Sequence, residues 1–138
     1  MQQRAAIART LAYEPSILLL DEPFASVDAQ TRADLEDLLL AVWDREGLTV
    51  LLVTHDIDEA VYLADRVIVL SASPTQVKEI IPVDLPRPRD QIATKGLPEF
   101  AHLRAEVFAS IKAEALTGRR GERGHMVQEQ VPDDPSGI

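Results

Sequence analysis

Three short apolar runs constrain any fold open to this chain: Ile17–Leu20 (ILLL), Thr49–Val53 (TVLLV) and Arg66–Leu70 (RVIVL). Each is too short for an ordinary helix and too continuously apolar for a strand with one wet face. That is the pattern of strands buried on both faces of a parallel sheet. The segments between them carry the period of helices. Leu35, Leu38, Leu39, Val42 and Trp43 recur at i, i+3, i+4, i+7 and i+8, with Asp28 placed to cap the start and Gly47 to stop the end. Asp56 and Glu59 have the spacing of a capping box for a helix reaching about Ala64. Residues 1–14 read as a helix striped by Ala5, Ala8, Leu11 and Ala12 and ended by Pro15. The order α-β-α-β-α-β predicts an α/β fold with a mostly parallel sheet flanked by helices.

The chain has 138 residues, 46% of them apolar but only 4% aromatic, so the core is expected to consist mainly of Leu, Val, Ile and Ala. Beyond Ser71 the character changes. Gln76–Ile81 reads as a further strand, at a sheet edge. Pro82, Pro86, Pro88 and Pro98 punctuate a loop, and residues 99–115 are helical by pattern, with Phe100, Leu103, Val107, Phe108 and Ile111 on one face. From Thr117 glycine and proline are frequent and no apolar period survives. The expectation is one partial domain over residues 1–116 and a disordered tail over 117–138. The net charge of −9 argues against binding nucleic acid or anionic membrane surfaces. The absence of cysteine excludes disulfides and thiolate metal sites within this sequence. No apolar run approaches the ~18 residues of a membrane span, and the first residues do not read as a signal peptide.

In open α/β sheets, ligands gather beyond the carboxyl ends of the strands. Asp21 and Glu22 end the first run, and Thr54 and His55 follow the second. Three ionisable groups are thereby expected at one sheet edge. Each also has a plainer reading: an acid pair as the solvated start of a loop, His55 as the neighbour of a helix cap, Asp28 as a cap. Arg4 and Arg9 suit a structural or interface role better than phosphate binding.

Taken in order, "MQQRAAIARTLAYEPSILLLDEPFASVD" and then "VLLVTHD" resemble the ATPase subunit of ABC transporters, strongly from Met1 to about Leu70 and more weakly to about Leu116. The resemblance implies roles. Asp21 corresponds to the Walker B aspartate that holds Mg²⁺ through a bound water, and Glu22 to the acid that orients or deprotonates the attacking water. His55 corresponds to the switch histidine that donates to the γ-phosphate. Ala25–Asp28 correspond to the D-loop, with Ser26 and Asp28 coupling two sites of an ATPase dimer. These are the parts ATP hydrolysis needs around a metal-bridged triphosphate. The implied cofactors are ATP and Mg²⁺. The implied partners are a second ATPase subunit, a transmembrane permease and, indirectly, a solute-binding protein, at the cytoplasmic face of the membrane. "THDIDEAVYLADRVIVLSASP", "VDLPRPRD" and "PEFAHLRAEVFASI" further resemble the nitrate, sulfonate and taurine importer group.

The family's phosphate-holding loop, G-x-x-x-x-G-K-[ST], has no counterpart in these residues. The lysines are Lys78, Lys95 and Lys112, and none precedes Ser or Thr. Met1 stands at the last position of the signature motif, as its remnant, and the glutamine loop has no match. The sequence therefore reads as the C-terminal half of an ATPase subunit with the P-loop strand missing. The loss of three or four charge-assisted hydrogen bonds, roughly 1.5–3 kcal/mol each, rivals the ~8 kcal/mol of a micromolar affinity. On its own the chain is expected to bind ATP negligibly, with an empty sheet position beside exposed strand edges. Three readings remain: part of an importer ATPase, a catalytically incompetent remnant acting at most as an interaction module, or an ABC-type ATPase working on DNA. The negative charge disfavours the last.

Overall fold

The computed structural model describes residues 2–72 and 74–126, so Met1 and the segment 127–138 lie outside the described residues. The elements in chain order are α1 (Gln2–Leu11), β1 (Ile17–Asp21), α2 (Ala29–Glu46), β2 (Thr49–Val53), α3 (Ile57–Leu63), β3 (Arg66–Leu70), β4 (Val77–Pro82) and α4 (Pro98–Met126). The α-β-α-β-α-β order and the three expected strands are all present.

Local chemistry fixes the boundaries of α2. Asp28 accepts the Thr31 N–H with one carboxylate oxygen at 3.0 Å and the Thr31 hydroxyl with the other at 2.8 Å. At the far end Gly47 sits at φ 63° and donates its N–H to Trp43 O at 3.0 Å, a left-handed stop that glycine adopts without a Cβ clash. The capping box at α3 forms only by half. Asp56 accepts the Glu59 N–H at 3.0 Å, but the Asp56 N–H is taken by Thr54 Oγ1, also at 3.0 Å, and the Glu59 side chain turns into the interior.

β1 and β2 pair in parallel, with Ile17 opposite Thr49 and Asp21 opposite Val53, so their carboxyl ends finish level. β3 and β4 pair antiparallel, with Val67 opposite Ile81. These are separate two-stranded sheets, one parallel and one antiparallel, and no ladder joins β2 to β3 among the described residues; the expectation was a mostly parallel sheet with one position empty.

The strands are also not buried on both faces. Leu18 is 1% exposed, whereas Ile17, Leu19, Leu51 and Val53 are about half-exposed or more. Ile68 and Leu70 on β3 lie open likewise, while Val67 and Val69 face inward. The physical reason is one-sided cover: the helices build their core against one face of each pair, and no described element covers the other.

That core joins Leu18 and Phe24 to Leu35, Leu39 and Val42 of α2, Val61 and Tyr62 of α3, and Phe100, Leu103 and Val107 of α4. It is mainly aliphatic, with Phe24, Tyr62 and Phe100 as its fully buried aromatics. Two helix faces differ from expectation. In α1, among the residues whose burial is described, Ile7 is buried while Ala5 and Ala8 are exposed. In α4 the inward stripe passes through Ser110, leaving Phe108 and Ile111 outside. α4 continues past Thr117 to Met126, so the tail expected to be disordered from 117 is helical over 117–126.

The proline-rich loop is an ordered strap. Arg89 donates to the α3 terminal carbonyls of Tyr62 (2.8 Å) and Ala64 (2.7 Å). Arg87 donates to Asp65 at 2.8 Å and covers the Trp43 ring at 4.3 Å. Gln91 donates to Glu36 of α2 at 2.9 Å, and Lys95 approaches the same carboxylate at 3.5 Å. Among the described residues no helix is long and apolar enough to cross a membrane.

Candidate functional site

The parallel register of β1 and β2 brings two of the three expected ionisable groups into contact. His55 Nδ1 lies 2.8 Å from Glu22 Oε1. Asp21 ends β1 opposite Val53, on the open face that also carries Ile17 and Leu19. The Glu22 N–H donates to Val53 O at 2.7 Å, extending the β1–β2 ladder by one bond into the site.

Glu22 pays this position with an unusual backbone. Its φ of 47° falls in the left-handed region, which L-residues other than glycine and sometimes Asn or Asp seldom occupy. Two residues on, Phe24 is 1% exposed and joins the core. Glu14, away from the site, shares the left-handed conformation of Glu22, at φ 48°. Nothing in the sequence pattern signalled it, because only the neighbouring Pro23 restricts the region visibly.

The His55 ring is largely in water, at 82% side-chain exposure. The hydrogen bond and negative charge of Glu22 raise its pKa above the ordinary histidine value, with smaller help from Asp56 and Glu59. Nδ1–H donating to Glu22 leaves Nε2 as the second ring nitrogen. Nε2 can donate to an anion only when the ring is protonated, the state that Glu22 favours.

Behind His55 is a carboxylate that the sequence placed wrongly. Glu59 is 4% exposed, and its Oε1 is buried without a partner. Burial pushes its pKa up to about 7, with Asp56 and Glu36 adding to the rise and Thr54 and Arg32 opposing it. The helical face shared with Tyr62 and Leu63 was the available signal for this burial.

Ser26 and Asp28 are exposed in the turn between β1 and α2. Both Asp28 carboxylate oxygens are engaged by Thr31, which holds the pKa below the usual carboxylate value. Capping is therefore its observed role. Arg4 and Arg9 are exposed on α1. Met1 lies outside the described residues.

Among the described residues no group of three or more His, Cys, Asp or Glu side chains could hold a metal ion. A lone carboxylate at an open strand end nonetheless suits Mg²⁺, which keeps several waters and takes further ligands from phosphates. Asp21 fits that limited part. Two surface clefts, of about 460 Å³ beside Pro82, Pro98 and His102 and about 270 Å³ beside Leu11, Pro15 and Leu48, both lie away from Glu22 and His55.

No protein-family model matches the chain. Individual proteins do. It is 53% identical over 116 residues to an uncharacterized ABC transporter ATP-binding protein of Methanocaldococcus jannaschii, covering 84% of this chain and 42% of that protein. It is 55% identical over 111 residues to a putative ATP-binding protein of Brucella abortus, covering 80% and 42%. An aliphatic sulfonates import ATP-binding protein of Bacillus licheniformis is 51% identical over 108 residues, covering 78% and 41%. The chain thus spans well under half the length of the curated relatives it matches.

Proposed function

This chain belongs to the ABC transporter ATP-binding proteins, and on that premise we propose that it is the C-terminal, acid-bearing part of an ATP-hydrolysing importer subunit. The observation that carries the reading is the 2.8 Å contact between Glu22 and His55 at the level carboxyl ends of two parallel strands. Sulfonates or a similar small solute are the cargo class, by likeness to the sulfonate importers. The work is done at the cytoplasmic face of a membrane, with a permease and a second ATPase subunit as partners.

The roles follow from the chemistry of each side chain. Asp21 offers a hard oxygen to Mg²⁺, which when bound with ATP screens the β- and γ-phosphates. Glu22 has one oxygen held by His55 and the other available to orient the attacking water and take its proton. His55, when protonated, would have Nε2–H available to donate to the γ-phosphate. Ser26 and Asp28, exposed in the turn before α2, are the residues offered to the second subunit. Met1 stands where the signature motif ends.

A second reading is that these residues act only as an interaction module; two clefts, beside Pro82, Pro98 and His102 and beside Leu11, Pro15 and Leu48, are lined by neither Glu22 nor His55. On that reading these residues by themselves do not hydrolyse ATP, since no G-x-x-x-x-G-K-[ST] loop occurs among them. Phosphate release separates the two. The chain alone is expected to show none above background. Fused behind the part of the Methanocaldococcus protein that it does not match, it should show Mg²⁺-dependent turnover that Glu22→Gln abolishes. Turnover by the isolated chain that is lost in Glu22→Gln would overturn the claim of inertness. A folded, nucleotide-binding fusion without turnover would overturn the assignment of the acids.

A further inference from the structure

Arg32, in the first turn of α2, touches both sides of the candidate site. Its Nη2 donates to the Val27 carbonyl at 3.3 Å, and its Nη1 donates to Asp56 Oδ2, also at 3.3 Å. We infer that Arg32 is a positioning residue that couples the Ser26–Asp28 turn to His55, by holding the Val27 carbonyl and the Asp56 carboxylate with one guanidinium. The role rests on the functional reading above, since it is the His55 assignment that gives the coupling a use. The physical link does not depend on it.

The geometry leaves each partner little freedom. Asp56 is held through three groups: Oδ2 by Arg32, Oδ1 by the Glu59 N–H at 3.0 Å, and its own N–H by Thr54 Oγ1 at 3.0 Å. The last bond closes a tight turn around His55, so a displacement of Asp56 moves the histidine backbone. At the other end Val27 immediately precedes Asp28. The guanidinium is planar and forked, and its two Nη groups can serve two acceptors at once, which a lysine ammonium on a flexible stem reproduces poorly. Arg32 Nε is buried without an acceptor. The side chain is thus aimed by its two end contacts, and the arrangement leaves one donor unpaired to keep both. The charge also has a local purpose, because Asp56, Glu59 and Glu36 crowd this region and Arg32 opposes the repulsion felt by Glu59.

A merely structural arginine would stabilise the fold without transmitting anything. Amide chemical shifts of the full chain distinguish the two. Asp56→Asn removes the charge that Arg32 grips while keeping a competent helix cap. It should displace the Val27 and Asp28 amide resonances in the otherwise native chain. In the Arg32→Gln background the same change should displace them at least two-fold less. Arg32→Lys, with charge retained, should lose the coupling too. Coupling is reciprocal, so Asp28→Asn should displace the His55 and Asp56 amides only when Arg32 is present. Equal displacements with and without Arg32, or none in the native chain, would overturn the inference. So would loss of a dispersed spectrum in both Arg32 variants, which would make the residue structural. No nucleotide is involved, so a negative result here is separate from failure of the hydrolysis assay.

Discussion

His55 Nδ1 and Glu22 Oε1 meet at 2.8 Å although 33 positions separate them in the chain. The contact exists because β1 and β2 are parallel and in register, so that the residues following each strand emerge side by side. It raises the histidine pKa. The unfolded chain lacks the contact, so the pair's contribution to stability is fully present below the unfolded histidine pKa and is lost as pH rises through the folded one. A titration of His55 followed by NMR should give a value above that of an exposed histidine in the native chain. Glu22→Gln should bring it down toward the ordinary value. An unchanged midpoint in the variant would mean that the pair does not form in solution.

The backbone at Glu22 makes a separate prediction. Glu22→Ala and Glu22→Gly both remove the carboxylate, so their difference isolates the φ of 47°. An Ala retains the left-handed penalty of about 1–2 kcal/mol, while Gly avoids it but loses more entropy on folding. The glycine variant should be more stable by about 0.5–1 kcal/mol, read as a higher urea midpoint at unchanged slope. Equal midpoints would place residue 22 outside the left-handed region.

Particular residues show what was legible in the sequence and what was not. Asp28 and Gly47 bound α2 where they were expected, because caps act within a few residues and their chemistry is written locally. The strand-end rule and motif resemblance both pointed to Asp21, Glu22 and His55, and the structure brings Glu22 and His55 into contact at the strand ends. The burial of Glu59 was not, because a carboxylate three residues after a helix cap has a good local use, and only tertiary packing turns it inward. The double-sided burial expected for β1 and β2 failed for a related reason. ILLL and TVLLV suit cover on both faces, but the sequence pattern cannot say that the described residues supply cover on only one. The strap was invisible because Arg87, Arg89 and Gln91 look like ordinary loop residues until the carbonyls and carboxylates of α2 and α3 are near them.

Glu59 predicts how stability changes with pH. Its folded pKa is about 7 and lies above the ordinary glutamate value because the side chain is buried. Between those two values the folded state holds a proton that the unfolded state has released. Stability should therefore fall as pH rises from about 4.5 to about 7 and then stop responding to this group. Glu59→Gln should flatten that slope. Above pH 7 the variant should also be more stable by about 1–3 kcal/mol, since it no longer buries an incompletely paired charge. Thermal midpoints across this range would check both parts, and a native-like slope in the variant would assign the titration to another group.

Arg89 predicts how much of α3 depends on the strap. Its guanidinium is half-buried, and burial lowers its pKa to about 10, so it remains charged near neutrality. It caps a seven-residue helix by donating to Tyr62 O and Ala64 O, where the helix dipole favours a cation. So short a helix has little stability of its own. Arg89→Ala leaves those carbonyls without their donor and should cost about 2–3 kcal/mol. Amide hydrogen exchange should localise the loss, with faster exchange at the Val61–Ala64 amides and little change in α2. Arg66, exposed on β3, supplies the control: Arg66→Ala should fall within about 0.5 kcal/mol of the native chain. Uniformly faster exchange across α2 and α3 in Arg89→Ala would instead mean that the strap stabilises the whole core and has no special hold on α3.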